Sequence, residues 1–215
     1  MPSFINNIDL SHGMTPINFY TCLIGDRFGV EAWRNSPRCF DLSIPSSNWC
    51  AMTCLRMLLL VHRLPSPPLD ELFGAACTAG VYEWNYGTDN RPQGWRGCYH
   101  TKLASFITQY GFEAHHRASL MTDDIADALD NDWFVIPSLS PEIRFPLRRR
   151  SPQQRNGHVV LVYAYRSHKN GNNRSFLIQN SAGFVSKNSQ IAVRISERRM
   201  KQVFGGHATF VRLPV

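Results

Sequence analysis

Hydrophobic positions follow a helical period in the first half of the chain and a strand-like pattern in the second. The segment 49–64 is almost entirely apolar and runs into the proline-rich stretch 64–68, where the hydrogen-bond ladder of a helix cannot continue. This pattern predicts a buried helix. Ser47 or Asn48, just before it, would cap its free N–H groups with a side-chain oxygen.

The rest of the chain divides into shorter elements. Helices are predicted near 69–79, over 101–110, from 122 to 129 with Thr122 as the cap, and near 196–204. Strands are predicted over 112–118, 133–140, 158–165, 174–180, 190–195 and 207–213, and a long loop over 80–98. Pro137 indicates an edge strand or a bulge, because proline cannot donate to a ladder. Because the first half of the chain is rich in predicted helices and the second half in predicted strands, we expect an α+β fold with segregated lobes.

The segments 158–165 and 174–180 are joined by the polar turn SHKNGNN, which predicts a β-hairpin. A turn centred at Lys169 would place Asn180 directly opposite His158 on the same face of the hairpin. A turn centred at Asn170 would instead move the partner of His158 to Ala182. The sequence alone leaves both registers open.

Composition and length limit the class of protein. The 215 residues are 43% hydrophobic and 18% charged, which excludes intrinsic disorder and is enough for a substantial core. The longest apolar run, 57–61, is too short to cross a membrane, and the N-terminus lacks the basic and apolar regions of a signal peptide. The six cysteines are therefore expected to be reduced thiols of a cytoplasmic protein.

The net charge of +7 is unevenly distributed along the chain. Residues 1–141 contain 9 Lys and Arg against 14 Asp and Glu, whereas residues 142–215 contain 14 against two, Glu142 and Glu197. This asymmetry predicts two differently specialised halves, or simply a basic surface that favours solubility. Nucleic acid is not an expected partner, because no helix-turn-helix, zinc-finger or RNP pattern accompanies the charge.

Cys50 lies in the first turn of the predicted apolar helix, directly after its cap. The free N–H groups and the dipole at a helix start favour negative charge, so this position would lower the pKa of the thiol and populate the nucleophilic thiolate. The alternative is that Cys50 is a small buried residue of the helix. Cys54, one turn later, is expected to pack.

A nucleophilic thiol needs a base, and His158 is the candidate. It opens a strand directly after Gly157, where another segment can approach closely. In the first hairpin register, the amide oxygen of Asn180 could accept the second ring N–H and fix the tautomer, the orienting role of a triad's third member. Together, Cys50, His158 and Asn180 favour a catalytic site more strongly than any of them does alone.

Five segments resemble the papain-like cysteine peptidases related to the bacteriocin-leader, or double-glycine, peptidase domain. They lie within residues 43–184 in the family's order: SNWCAMTCLRM, GWRGCYHTKLASFITQYGFEA, WFVIPSLS, NGHVVLVYAY and FLIQNSAG. The resemblance implies one papain-like, two-lobed α+β domain spanning 1–215, with an N-terminal extension (1–42), a helical lobe (about 43–130) and a β-lobe (about 131–215). It places Cys50 on the central helix facing His158 and Asn180, and it implies thiol chemistry without a cofactor.

The chain departs from this family next to the nucleophile. Relatives carry a Gln about six residues before the cysteine, whose side chain joins the cysteine N–H in binding the oxyanion, and Ile44 stands there instead. Asn48 is the preferred replacement because its amide is a comparable donor, with Ser46 or Ser47 as alternatives. Loss of such a donor costs roughly 2.7–4 kcal/mol, so an altered or slower site is one expectation.

Residues of both predicted lobes are candidates for substrate binding. The loop before His158 carries Arg148, Arg149 and Arg150, which could hold an acidic peptide, a phosphate or a carrier-bound phosphopantetheine, or could simply be solvated. Trp49 and Trp95 are the aromatic candidates.

No metal site is predicted. Adjacent histidines on a strand, such as His115 and His116, point to opposite faces, and Cys98 and His100 lack a ligand spacing of the CxxC or HExxH type. His207, after two glycines, is expected to be structural.

These features predict a bacterial cysteine peptidase or amide hydrolase that acts on a peptide through an acyl-enzyme on Cys50. One alternative is an acyltransferase or amide synthase that passes an acyl group from a thioester, for example on an acidic carrier protein, to an amine. Another is a catalytically altered papain-like protein that only binds a partner or acts as an effector. Selective labelling of Cys50 by iodoacetamide would separate the enzymes from the binding protein.

Overall fold

The computed structural model describes residues 5–6, 49–86, 92–147, 151–167, 174–181 and 192–214; at 5–6, 70, 84–86 and 92–96 it describes the backbone only. The helices are α1 (Cys50–Val61), α2 (Leu69–Thr78), α3 (His100–Thr108), α4 (Thr122–Asp130) and α5 (Glu197–Val203). The strands are β1 (Ile5–Asn6), β2 (Glu83–Tyr86), β3 (Pro92–Arg96), β4 (Glu113–Ala118), β5 (Phe134–Leu139), β6 (His158–Val159), β7 (Leu161–Ser167), β8 (Arg174–Gln179), β9 (Val193–Ser196) and β10 (Phe204–Arg212). A 3-10 turn spans Pro141–Arg144.

Eight of the described strands form one sheet, and the other two form a separate hairpin. The main path of the sheet is β4-β10-β5-β7-β8-β9, with β1 paired to β7 and β6 paired to β5. Every one of these pairings is antiparallel. The predicted α+β class is confirmed.

The separate hairpin corrects the prediction of a loop over 80–98. Strands β2 and β3 pair there, with Trp84 opposite Trp95. The strands of this segment are not predictable from its sequence, because it is rich in glycine and proline and both residue types are depleted in strands.

Helices cover both faces of the sheet, because successive strand residues point to opposite sides. In β5, Phe134 and Ile136 join the core that α1, α2 and α3 form on one face. Val135 and Leu139 join the core that α4 and α5 form on the other face. The Cys50 helix is thus packed against the middle of the sheet, where β6 also pairs.

Two local predictions need correction. Pro137 lies in β5, which pairs with both β10 and β7, so it is not on an edge; the bulge alternative is right, since the β10–β5 register shifts between Phe204 and the Ala208–Pro137 pair. Helix α4 begins at Thr122 rather than after it. The hydroxyl of Thr122 donates to Glu197, and the Asp124 carboxylate accepts the N–H of Met121 at 2.7 Å in place of the predicted cap.

Within the described ranges, no helix combines the length and the apolar character that crossing a bilayer requires.

Candidate active site

Cys50 is the first residue of α1 and is almost completely buried, with 9% of its surface exposed. Trp49 occupies the cap position and makes no side-chain capping bond; the proposed caps Ser47 and Asn48 lie outside the described residues. The hydroxyl of Thr53 returns to the carbonyl of Trp49 at 3.0 Å, which ties the first turn together. This turn presents its N–H groups at the thiol.

His158 and Asn180 form a direct hydrogen bond in the interior. His158 opens β6 and pairs with Leu139 of β5, and Asn180 follows the last residue of β8. The Nε2 atom of His158 lies 2.8 Å from Oδ1 of Asn180, and both residues are buried. Because an amide oxygen only accepts, Nε2 carries the hydrogen and Nδ1 of the neutral ring is the nitrogen that can take a proton.

The register with the turn centred at Lys169 is wrong, although the contact between His158 and Asn180 that it predicts is present. Leu161 pairs with Gln179, which centres the turn one residue later than the register that sets His158 opposite Asn180. The Leu161–Gln179 pair fits the alternative register, with the turn centred at Asn170. That register does not pair His158 either, because the β7–β8 ladder ends at Leu161 and β6 pairs with β5 instead. The two side chains meet beyond the end of the ladder.

One cavity of about 290 Å³ brings the thiol and the imidazole together. Gly157, directly before His158, lines it with a φ of +108°, a left-handed conformation that favours glycine. The side chains at its wall include those of Cys50, Cys98, Tyr99, His100, His158 and His207.

Burial dominates the ionisation of Cys50. It raises the pKa of the thiol, against the lowering effect of the backbone N–H groups of Val159, Ala51 and Cys50 itself. The predicted lowering by the helix start is therefore wrong in net direction, because lost hydration outweighs these donors. The N–H of Val159 also places the thiol beside β6, the strand that His158 opens.

Burial also keeps His158 neutral. It lowers the pKa of the imidazole to about 4; the hydrogen bond to Asn180 opposes this shift and the charge of Arg144 adds to it. Near neutral pH the resting site thus contains a thiol and a neutral imidazole, rather than a thiolate beside an imidazolium.

A family model described as the Peptidase_C39-like family matches residues 30–203 of the chain. The chain belongs to this family. The finding confirms the resemblance to the papain-like cysteine peptidases related to double-glycine leader peptidases. No curated protein sequence matches the chain significantly.

Three solved structures are similar to this peptidase C39-like chain. A Bacillus anthracis protein described as a C39-like peptidase is 13% identical, with a TM-score of 0.50 over 78% of this chain and 90% of that one. The peptidase domain of Streptococcus ComA, a bi-functional ABC transporter of a quorum sensing pathway, is 15% identical, with a TM-score of 0.48 over 79% and 95%. A double glycine motif protease from an AMS/PCAT transporter, in complex with the leader peptide, is 14% identical, with a TM-score of 0.44 over 79% and 87%. The first likeness supports the papain-like α+β fold.

The other predicted site residues of the C39-like chain have different placements. Trp49 is only 5% exposed and stacks on Phe73 with ring centroids 5.4 Å apart, so its indole packs in the core; its selection for substrate binding stays a prediction. Trp95 lies in β3, where only its backbone is described. The oxyanion candidate Asn48 and the arginines 148–150 lie outside the described residues.

Three further side chains of the cavity, those of Cys98, His100 and His207, have no role in the predicted site. Cys98 and His100 figure in the sequence only as metal candidates, and His207 only as a structural residue. Among the described residues, no group of three His, Cys, Asp or Glu has the arrangement of a metal site. The nearest sequence signal is the glycine directly before two of them, Gly97 before Cys98 and Gly206 before His207. In the structure both glycines have positive φ angles.

Proposed function

We propose that this chain is a cysteine peptidase that cleaves a peptide substrate through an acyl-enzyme on Cys50. His158 acts as the general base, and Asn180 orients its ring. The observation that carries the proposal is that Cys50 and His158 line one cavity while Asn180 binds the far ring nitrogen of His158. Membership of the C39-like family supports the peptidase class.

The chemistry follows from the neutral resting pair. Sγ of Cys50 attacks the carbonyl carbon of the peptide while its proton passes to Nδ1 of His158. The tetrahedral intermediate collapses, the C–N bond breaks and the imidazolium returns the proton to the leaving amine. A water molecule, deprotonated by the same nitrogen, then hydrolyses the thioester and regenerates the thiol.

The start of α1 supplies donors for the developing oxyanion. The N–H groups of Cys50 and Ala51 already act on the thiol and need no reorganisation during the attack. Asn48, two residues before Cys50, is the proposed side-chain donor in place of the Gln that relatives carry.

Iodoacetamide labelling tests the nucleophile. After brief treatment near neutral pH and peptide mapping by mass spectrometry, we expect Cys50 to be modified ahead of the other thiols, and His158→Gln to slow this reaction. Cys54→Ala is the matched control: Cys54 lies one turn further along α1, is only 1% exposed and should leave the labelling of Cys50 unchanged. Slow, equal labelling of all cysteines would support the binding-protein alternative.

A peptide library tests the reaction itself. Proteome-derived peptides incubated with the native chain, with Cys50→Ala and with His158→Ala should show cleavage by the native chain only. Acyl transfer uses the same acyl-enzyme but an amine acceptor, so glycinamide distinguishes the two. An adduct on Cys50 that persists in water and disappears only with glycinamide would indicate an acyltransferase.

A further inference from the structure

Two side chains of the cavity belong to a stack of three histidines that the proposed chemistry does not use. His100 begins α3, His116 lies in β4 and His207 lies in β10. The rings of His100 and His116 have centroids 5.6 Å apart at 21°, and those of His116 and His207 have centroids 6.0 Å apart at 9°. His100 and His207 line the cavity together with Cys50. We call these three residues the histidine stack.

The hydrogen bonds of the stack leave ring nitrogens to be satisfied. Nδ1 of His100 lies 2.9 Å from Oγ1 of Thr209, whose hydroxyl donates to the carbonyl of His100. Nδ1 of His100 is therefore the donor, and Nε2 of the neutral ring has a free lone pair. Nε2 of His116 is buried without a hydrogen-bond partner, although its Nδ1 lies 3.2 Å from Oγ1 of Thr101. A buried unpaired nitrogen is costly.

The three rings also resist being charged together. Burial, and then the proximity of His116 and His207, lower the pKa of His100 to about 4. Burial, and then His207, lower the pKa of His116. The rings of His100 and His116 are therefore protonated readily only when an anion compensates the charge.

The surroundings contain no such anion among the described residues of the cavity wall. The other titratable groups of the cavity wall are the thiols of Cys50 and Cys98, the imidazole of His158 and the phenol of Tyr99, whose hydroxyl donates to Glu83 at 3.1 Å. The charged residues of β4, Glu113 and Arg117, alternate with His116 and project from the opposite face of the strand, where they form ion pairs. A metal ion does not fit, because parallel stacked rings cannot direct their lone pairs to one point.

We propose that the histidine stack binds a carboxylate of the substrate beside Cys50, so that the peptide carries an acidic group next to the bond that is cleaved. This inference rests on the proposed peptidase function. One ring takes up a proton as the carboxylate binds, and the resulting imidazolium donates to a carboxylate oxygen. The accessible His207 is the entry point, His100 shares the cavity wall with Cys50, and the ring of His116 stacks on both.

Two alkylating reagents of similar size test the site without a known substrate. Iodoacetate carries a carboxylate, whereas iodoacetamide is neutral, and the thiolate fraction of Cys50 affects both equally. We expect the ratio of their rate constants at Cys50, iodoacetate over iodoacetamide, to increase about tenfold between about pH 8 and about pH 5.5. The same ratio for glutathione gives the baseline.

Variants assign the effect to the stack. His207→Gln, at an exposed position, and His100→Gln should each remove most of the increase, while His115→Gln should keep it. His115 is the matched control, because it lies beside His116 on the opposite face of β4 and stacks on Phe210 at 5.1 Å. A ratio unaffected by the first two variants would assign the attraction to His158 and overturn the carboxylate site.

Protection by short peptides identifies the source of the carboxylate. Acetyl-Ala-Glu-amide, acetyl-Ala-Gln-amide and acetyl-Ala-Ala with a free terminus should compete with iodoacetamide for Cys50. Protection by either carboxylate peptide, but not by the Gln peptide, supports the site and separates an acidic side chain from a C-terminus. Equal behaviour of all three would overturn it, and absence of selective labelling at Cys50 would overturn the peptidase proposal as well.

Discussion

Nε2 of His158 lies 2.8 Å from Oδ1 of Asn180, although neither residue belongs to the ladder between β7 and β8. The backbone of His158 is held by Leu139 of β5, and its ring is held by an amide at the end of β8. The orientation of the proposed base therefore depends on two strands that lie on either side of β7 in the sheet.

Replacing Asn180 should impair catalysis without altering substrate binding. In Asn180→Ala the N–H at Nε2 loses its acceptor and the tautomer with the proton on Nδ1 becomes accessible, so we expect kcat to fall about 10²-fold with KM little changed. Asn180→Asp keeps an acceptor and adds a negative charge, which should raise the pKa of His158 and move the acid limb of kcat/KM to higher pH. A kcat like that of the native chain in Asn180→Ala would exclude an orienting role.

His158 should also make the stability of the fold depend on pH. Its pKa is about 4 in the folded chain, whereas that of an unfolded histidine is about 6.5. Between these values the unfolded chain binds more protons, so the free energy of unfolding rises with pH there and is lost as the pH falls towards 4. Urea titrations at several pH values should show this loss.

His158→Gln provides the comparison for that measurement. The half-buried His100 also has a pKa of about 4, so the variant should retain part of the pH dependence and lose the share of His158. Stability curves of the native chain and the variant that run parallel from acid to neutral pH would contradict the assignment.

The predictability of the site from sequence differs among its members. Cys50 and His158 are each selected by a local signal, the start of an apolar helix and a glycine before a strand. Asn180 is instead selected through a hairpin register that the structure does not have. Their ionisation is not predictable in this way. The raised pKa of Cys50 arises from burial, which depends on the packing of α1 against the sheet and not on its own residues.

The histidine stack is even less predictable from the sequence than the ionisation of Cys50. His100, His116 and His207 are at least 16 residues apart along the chain and follow no ligand spacing. They meet because β4 and β10 are neighbours in the sheet and α3 begins over them. Such a cluster follows from long-range pairing, whereas strand and helix positions follow from local periodicity.

A close contact between Gly205 and Asn156 supports the segment that leads to His158. A Cβ at Gly205 would overlap Oδ1 of Asn156 and lie 3.0 Å from the carbonyl oxygen of Arg155. Gly205→Ala should therefore push this segment away from β10 and displace Gly157 and the base. We expect a fall in kcat/KM of about tenfold or more, since small displacements of catalytic groups are costly.

Two variants check this effect. Gly74→Ala, in α2, is the matched control because a Cβ at this position would meet no atom within 4 Å, and it should raise stability by about 0.5–1 kcal/mol and leave activity unchanged. Asn156→Gly, combined with Gly205→Ala, removes the overlapping oxygen and should restore part of the activity. No rescue in the double variant would show that the contact does not position His158.

The packing of Trp49 yields a test that separates stability from binding. Its ring stacks on Phe73, which in turn contacts Tyr82 with centroids 4.9 Å apart, and all three are buried. Trp49→Ala should lower the free energy of unfolding by about 3–5 kcal/mol, and a double-mutant cycle with Phe73→Ala should reveal a coupling of about 0.5–1.5 kcal/mol. The milder Trp49→Phe should keep KM for a cleaved peptide unchanged, because the indole does not reach the cavity. A raised KM of Trp49→Phe at unchanged stability would support a role of Trp49 in substrate binding. It would also require the start of α1 to open towards the peptide.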